Sequence, residues 1–363
     1  MDKICLVTGV RPQLIRLSRV IEKLDKYSKL TFVYTNQNYT PNLRDIFFEQ
    51  LGLREPDIYF NMKGSLGEQL ANLFVEIEKV FEGIRPNKVV ILGDTNTDLC
   101  AIMAERMGIP VFHIESANRS YNREIPEEVN RRLIDSISSY NLFYTPLNRH
   151  TLLREGATPK KIFQCGNPTK EVLNYYMPKI DTSGILKKLG LRYRKYFLVD
   201  IHRTENTTPE RLKGIIGGLN LIAKQYKLPI ICSLHPRTVD KLKNIEYKLE
   251  PEVKFLDAMG FFDFVKLEKN VLVGLTDSGL CSEEYGLLQV PCVVVRNETE
   301  RPEVVEAGGA ILSGISSDKI FECTKRMVDL VGKKWAIPLG YEDINVSDKI
   351  VNYILSHHGG KNV

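Results

Sequence analysis

The sequence predicts an α/β protein made of two Rossmann-like, doubly wound parallel-sheet domains that face a cleft. Three observations lead there. Short β-branched runs alternate with longer segments of helical spacing, the signature of βαβ units. The alternation occurs twice, on either side of a polar, basic interruption. The length, 363 residues, corresponds to two domains at roughly 150 residues each.

In the first half the expected buried strands are Ile4–Val7, Thr31–Tyr34, Lys88–Leu92, Val111–Ile114, Leu142–Tyr144 and Ile162–Cys165. A helix is expected over Leu66–Phe81, where Leu70, Leu73, Phe74, Ile77 and Phe81 recur at three- and four-residue steps. The texture changes over Asn174–Lys195, which is basic and interrupted by Pro178 and Gly184, so the boundary belongs there. The expected domains are 1–172 and 173–345, with 346–363 as a terminal helix. The second set of strands is Tyr196–Ile201, Pro229–Leu234, Val253–Leu256, Val271–Leu275, Pro291–Val295 and Ala310–Leu312. Its helices include Pro209–Tyr226, Phe261–Lys269 and Cys281–Leu288, and an amphipathic segment, Val346–Leu355, follows the Pro338–Gly340 break.

Lys and Arg number 50 against 45 Asp and Glu, a formal net charge of +5. That surplus is too small to argue for nucleic acid, but it leaves room for a local anion site. The N-terminus reads as a first strand and not as a signal peptide, and no apolar run approaches the ~20 residues of a bilayer span. The seven cysteines are scattered among apolar residues, with no CxxC pair and no His at ligand spacing. Reduced buried thiols in a cytoplasmic protein are expected, without a metal site or disulfides.

In doubly wound sheets, ligands bind off the carboxyl ends of the strands, so the residues there carry the chemistry. Gly9-Val10-Arg11-Pro12-Gln13 follows the first strand, where a helix start beside Arg11 and Arg16 suits an anion; neither GxGxxG nor Walker A is present. Asp94 follows Lys88–Leu92, as a cleft acid or a helix cap. Glu115 closes Val111–Ile114, on the same face as His113. Glu127 and Glu128 follow Pro126, which is also ordinary helix-start chemistry. Asp94, Glu115 and Glu127, with Arg119 and Arg131 nearby, form a set of acids suited to proton transfer at carbon. In the second half, His202-Arg203 and His235-Pro236-Arg237 each follow a strand. Ser278-Gly279 leads into a helix and reads as a phosphate cradle. Glu284 lies where it could meet ribose hydroxyls, and Arg301 adds a cation. Together these suggest a bound nucleoside diphosphate.

The ordered motifs GVRPQLIR, LGDTNTD, FHIES, IPEEVNRRL, HRTEN, TDSG with its following EE, and ETERPEVVEAG resemble the non-hydrolysing UDP-N-acetylglucosamine 2-epimerase family. The resemblance implies a glycosyltransferase-B-like fold whose last helix returns to the first domain. It implies elimination of UDP, a 2-acetamidoglucal intermediate and re-addition of UDP, with no metal or NAD. It assigns catalysis to Asp94, Glu115, Glu127 and His202. It matches Arg11, Ser278, Glu284 and Arg301 to UDP-binding positions, and Arg16, Arg119, Arg131, Arg203, His235, Phe264 and Gly279 are further expected contacts to UDP or substrate. It also implies a homodimer.

The chain departs from the family pattern in places. Gln13 and Arg16 stand where Glu and Lys are usual, and Leu280 replaces a turn glycine. Gln37-Asn38-Tyr39 replaces the Gln-His pair of members activated by UDP-N-acetylglucosamine. Glu115-Ser116-Ala117-Asn118-Arg119 replaces Glu-Ala-Gly-Leu-Arg, which is similar to relatives acting on UDP-2-acetamido-2,6-dideoxyhexoses. That substrate class is therefore one alternative. A glycosyltransferase of the same fold, a hydrolysing epimerase and a non-catalytic nucleotide-sugar binding module are the others.

Overall fold

A computed structural model describes residues 1–36, 41–234 and 247–357. His235 and Arg237, and the Gln37–Tyr39 segment, lie outside the described residues. The chain divides into two compact units, one formed by Met1–Tyr175 with the segment from Leu339 onward, the other by Tyr176–Pro338.

The first unit carries seven strands: β1 Lys3–Thr8, β2 Lys29–Tyr34, β3 Ile58–Tyr59, β4 Lys88–Leu92, β5 Val111–Ile114, β6 Tyr140–Phe143 and β7 Ile162–Gln164. They lie in the order β3-β2-β1-β4-β5-β6-β7. Every pair is parallel, with β1 and β4 in register at Cys5↔Val89. The second unit carries β8 Phe197–Ile201, β9 Ile230–Leu234, β10 Val253–Asp257, β11 Val273–Thr276, β12 Cys292–Val294 and β13 Ala310–Leu312. Their order is β10-β9-β8-β11-β12-β13, again all parallel. In each sheet the winding reverses once, between β1 and β4 and between β8 and β11. In each doubly wound sheet, a reversal of this kind is where ligands bind off the carboxyl ends of the strands. These are the ends that carry Gly9, Asp94, His202 and Ser278.

The helices of the first unit are α1 Arg11–Tyr27, α2 Pro41–Leu51, α3 Leu66–Ile84, α4 Cys100–Arg106, α5 Pro126–Ile137 and α6 Pro146–Arg154. Then come α7 Thr169–Asp181, α8 Ile185–Lys188, α9 Pro209–Tyr226, α10 Phe261–Asn270, α11 Gly279–Leu288, α12 Pro302–Glu306 and α13 Ser317–Val328, and finally α14 Val346–Ser356. On α3, Leu73, Ile77 and Phe81 fall one turn apart and are buried against Val89 and Ile91. Each such side chain contributes about 2 kcal/mol of burial. The same helix leaves Leu66 and Val75 exposed. In the second unit, α9 and α13 pack on the core through Leu219, Ile222, Ile320 and Met327.

Two local differences from the sequence reading have simple causes. The edge strand β3 is two residues long, too short to leave a periodic signal. The helix α7 runs through Pro178, although proline has no N–H for the preceding turn. α14 packs on α1. The buried Lys88 Nζ anchors its end, donating to the Ile354 carbonyl at 2.7 Å and to Asp2 at 2.5 Å. Tyr353 stacks on Phe163 with ring centroids 4.2 Å apart. All seven cysteines are free and buried. No described helix is long and apolar enough to cross a membrane.

Candidate active site

The β1–α1 turn is glycine-dependent because of crowding. A Cβ on Gly9 would stand 2.1 Å from Thr97 Oγ1 and 2.4 Å from Thr35 Oγ1. Gln13 reaches back into this turn, its Oε1 accepting the Gly9 and Val10 N–H groups at 2.7 and 3.2 Å. Two donors expected to meet an anion are thus occupied within the chain. The Gln13 amide also donates to the Leu92 carbonyl at 2.6 Å and to Asp98 at 2.8 Å, tying the β1 turn to the β4 turn. Asp98 accepts from Thr95 N and Oγ1, both at 2.8 Å. Burial, only partly offset by these neutral donors, pushes the Asp98 carboxyl up to about 8. Arg11 is half-buried, with its guanidinium carbon 5.5 Å from the Phe47 ring centroid.

Asp94 is not a helix cap, since Thr95 precedes the short 3-10 turn that follows β4. Its Oδ2 instead accepts from Arg131 Nε and Nη2, at 2.9 and 2.8 Å. Asn130 holds the Asp94 carbonyl at 3.0 Å. Glu127, half-buried in the first turn of α5, is four residues before Arg131 and so shares its helix face. Glu128 is fully buried, and it accepts from Ser120 N (2.9 Å), Arg131 Nη1 (3.1 Å) and Arg132 Nε (2.9 Å). Burial raises its pKa, but these donors outweigh that and hold the carboxyl below its usual range.

Glu115 ends β5 in a left-handed conformation, φ 72°, and Ala117 follows at φ 71°. A left-handed backbone at a non-glycine residue costs roughly 1–2 kcal/mol each, so surrounding contacts must enforce it. Glu115 is buried and bonded to Arg16, and the Tyr144 hydroxyl donates to it at 3.0 Å. Arg16, expected at the diphosphate, is thus the partner of a proposed catalytic acid. Arg119 is also held by carboxylates of the fold. It is buried, with Nη2 2.7 Å from Asp135 and 2.5 Å from Glu155, because an interior guanidinium needs carboxylates around it. Arg131 too is engaged within the fold, by Asp94 and Glu128.

In the second unit, Asp277 organises the end of β8. Fully buried, it accepts from His202 N at 3.1 Å, Arg203 N at 3.0 Å and Asn206 Nδ2 at 3.0 Å. The His202 side chain is 40% exposed, with Nδ1 3.2 Å from Asp200 and 3.6 Å from Asp277. Partial burial opposes its charge, but these carboxylates push its pKa up to about 9. Arg203 donates to the Asp277 carbonyl at 3.0 Å and to Glu300 at 2.6 Å.

Ser278 caps α11, its Oγ accepting the Cys281 N–H at 3.4 Å. A Cβ on Gly279 would stand 3.0 Å from Glu300 Oε1 and 3.9 Å from Arg301 Nη2, so the backbone passes close to both. Arg301 bonds to the buried Glu283. Phe264 is half-buried in the first turn of α10. Glu284 is buried, and its carboxylate, that of Glu268 and the Cys281 thiol have ligand atoms within 4.8 Å of one another. Burial and the facing Glu284 push the Glu268 carboxyl far up, and burial raises the Cys281 thiol likewise.

The description of the UDP-N-acetylglucosamine 2-epimerase family matches residues 22–355. The chain belongs to that family. The UDP-N-acetylglucosamine 2-epimerase of Methanocaldococcus jannaschii is 38% identical over 350 residues, which cover 93% of this chain and 95% of that protein. A crystal structure of the M. jannaschii enzyme in complex with UDP-GlcNAc and UDP superposes with a TM-score of 0.92 at 37% identity, covering 98% of this chain and 100% of that one. The UDP-2,3-diacetamido-2,3-dideoxy-D-glucuronate 2-epimerase of Pseudomonas aeruginosa is 33% identical over 331 residues, 89% of this chain and 91% of that protein. The two parallel sheets give the chain the glycosyltransferase-B-like architecture of this epimerase family.

The structure pairs Asp94 with Arg131 and Glu115 with Arg16, and gathers His202 and Arg203 on Asp277. Sequence reasoning passed over Asp98, Asp135, Tyr144, Glu268, Asp277 and Glu283 as site-building residues. Asp98, Asp277 and Glu283 stand inside motifs it singled out, LGDTNTD and TDSG with its following EE. The other three carry no local pattern and become visible only through their partners.

Proposed function

We propose that the protein is a non-hydrolysing UDP-N-acetylglucosamine 2-epimerase, an isomerase that interconverts UDP-GlcNAc and UDP-ManNAc or a closely related UDP-N-acetylhexosamine pair. Family membership supports the reaction class. The observation that carries it to this chain is the pair of carboxylates, Asp94 and Glu115, at the ends of adjacent strands, each held by an arginine.

In this reading one carboxylate takes the C2 proton while the C1–oxygen bond to UDP breaks, leaving the 2-acetamidoglucal. UDP then adds back at C1 as a second acid returns a proton to the opposite face of C2, so no water or redox partner is consumed. Asp94, Glu115 and Glu127 supply the acids. Arginine partners hold the Asp94 and Glu115 carboxylates in position, where one can take the C2 proton as general base. His202 is charged at neutral pH and can balance the diphosphate charge as it develops. Ser278 and Gly279 at the α11 start, with Arg301, hold the diphosphate, Glu284 meets the ribose hydroxyls, and Phe264 and Arg11 line the nucleotide. The residues call for no metal or NAD. We place the enzyme in the cytoplasm as a homodimer, a state that light scattering measures.

The test is incubation in heavy water with UDP-GlcNAc, its 6-deoxy analogue and UDP-2,3-diacetamido sugars, followed by NMR. Deuterium at C2 of a UDP-sugar product is the expected outcome, and the panel identifies the preferred sugar. Free N-acetylmannosamine would make the enzyme a hydrolysing one. No C2 exchange with any member of the panel would reject the proposal.

A further inference from the structure

We infer that His113 and Asp135 form a positioning pair that fixes the two loops carrying Asp94 and Glu115 relative to each other. The inference rests on the proposed catalytic roles of those acids, but the two residues touch neither of them. His113 is fully buried on β5. Its Nε2 lies 2.7 Å from the carbonyl of Gly93, the residue immediately before Asp94, and its Nδ1 lies 2.9 Å from Asp135 Oδ1. The other Asp135 oxygen accepts the Ala117 N–H at 3.0 Å and Arg119 Nη2 at 2.7 Å, inside the left-handed segment that begins at Glu115. One carboxylate on α5 thus joins both loops, with the imidazole as the bridge.

The geometry also sets the protonation state. Nε2 bonds a carbonyl, which calls for a hydrogen on that nitrogen, and Nδ1 lies 2.9 Å from a carboxylate oxygen, an ion-pair contact that favours the imidazolium. Burial opposes that charge; Asp135 and the Gly93 carbonyl outweigh it, and the His113 pKa is raised. Asp135 shifts the opposite way, kept low by His113 and Arg119 in spite of burial. The other titratable groups facing this pair are Asp98, from the turn after β4, whose own carboxyl is pushed up to about 8, and Arg119. The pair is therefore a bridge between two strained or tightly turned loops, and it holds the acids where they are without acting on substrate.

The test compares Asp135→Asn and His113→Gln with the wild type. Amide hydrogen exchange over residues 93–97 and 115–119 should rise at least tenfold in both segments together. For C2 deuterium incorporation, kcat should fall at least thirtyfold with KM within threefold, and UDP affinity should stay within twofold. On a Glu115→Gln background, Asp135→Asn should lower kcat by a clearly smaller factor than in the wild type, because part of its effect runs through that acid. Unchanged kcat, loosening of one segment alone, or an additive double variant would overturn the inference. If neither single variant folds, the wild type decides: selectively 15N-labelled His113 should show two ring N–H signals at pH 7.5, and a single one rejects the pair. A wild type without C2 exchange would strike the proposed function instead, while amide exchange and the histidine spectrum still decide the positioning role.

Discussion

Two buried acid clusters, one in each unit, are handled in opposite ways. In the first unit, carboxylates near the switch point face cations: Asp94 and Glu128 meet Arg131, Glu115 meets Arg16, and Asp135 meets His113 and Arg119. In the second, beside α11, Glu268 faces another acid, Glu284, within a buried cluster. The donors around Glu128 and Asp135 hold those two carboxyls low in spite of burial, whereas burial and the facing Glu284 push Glu268 up. Asp98 belongs to the first unit yet behaves like the second group, since Gln13 and Thr95, its hydrogen-bond donors, are neutral. A carboxyl's partner, more than its depth, decides its charge here.

Neutralising the ionised acids should give the largest effect. Asp94→Asn or Glu115→Gln should each lower kcat by roughly 10²–10⁴-fold, the range for lost acid–base catalysis, with calorimetric UDP affinity within twofold. A variant of normal kcat would remove that acid from the mechanism. Next, Arg131→Met takes away the cation shared by Asp94 and the buried Glu128. Breaking a buried pair on one side costs about 3 kcal/mol, readable as a lower urea midpoint. A change below about 1 kcal/mol would mean that Arg132 and Ser120 suffice for Glu128.

The contrast also predicts opposite pH responses. Glu128 and Asp135 have lowered folded pKa values, so their stabilisation is present above the unfolded carboxylate range and is lost as pH falls through the folded values. Glu268 is raised, so the folded state keeps a proton that the unfolded chain releases near pH 4.3. Its contribution declines as pH rises above that point, by about 1.4 kcal/mol per pH unit at most. Glu268→Gln should flatten the alkaline side of the stability profile and leave the acid side intact. A parallel shift of the whole profile would assign the slope to other groups. The smallest effect is expected from Ser278→Ala, which removes the α11 cap and should cost about 1 kcal/mol in urea unfolding.

Much of the site was legible along the chain because parallel sheets put functional residues directly after strands. Asp94, Glu115, His202 and Ser278 could be found that way. Their partners could not. Arg16 and Glu115 are 99 residues apart, and Arg203 and Glu300 are 97 apart, so no local pattern relates them. Arginine's preference for anions pointed Arg119 at a diphosphate, whereas the fold gives it Asp135 and Glu155. Gly9 stands in the turn after the first strand, and its constraint, the close approach of Thr35 and Thr97, comes from elsewhere in the chain.

The sequence by itself determined the α/β class, the two-part organisation and the strand ends where chemistry belongs. Those follow from apolar periodicity and turn residues, which act over a few positions. Tertiary structure alone decided which strand pairs flank the winding reversal, which charge faces which, and which acids keep a proton. These depend on burial and on distances between residues far apart in the chain, and Coulomb and desolvation energies respond to those distances and not to sequence separation.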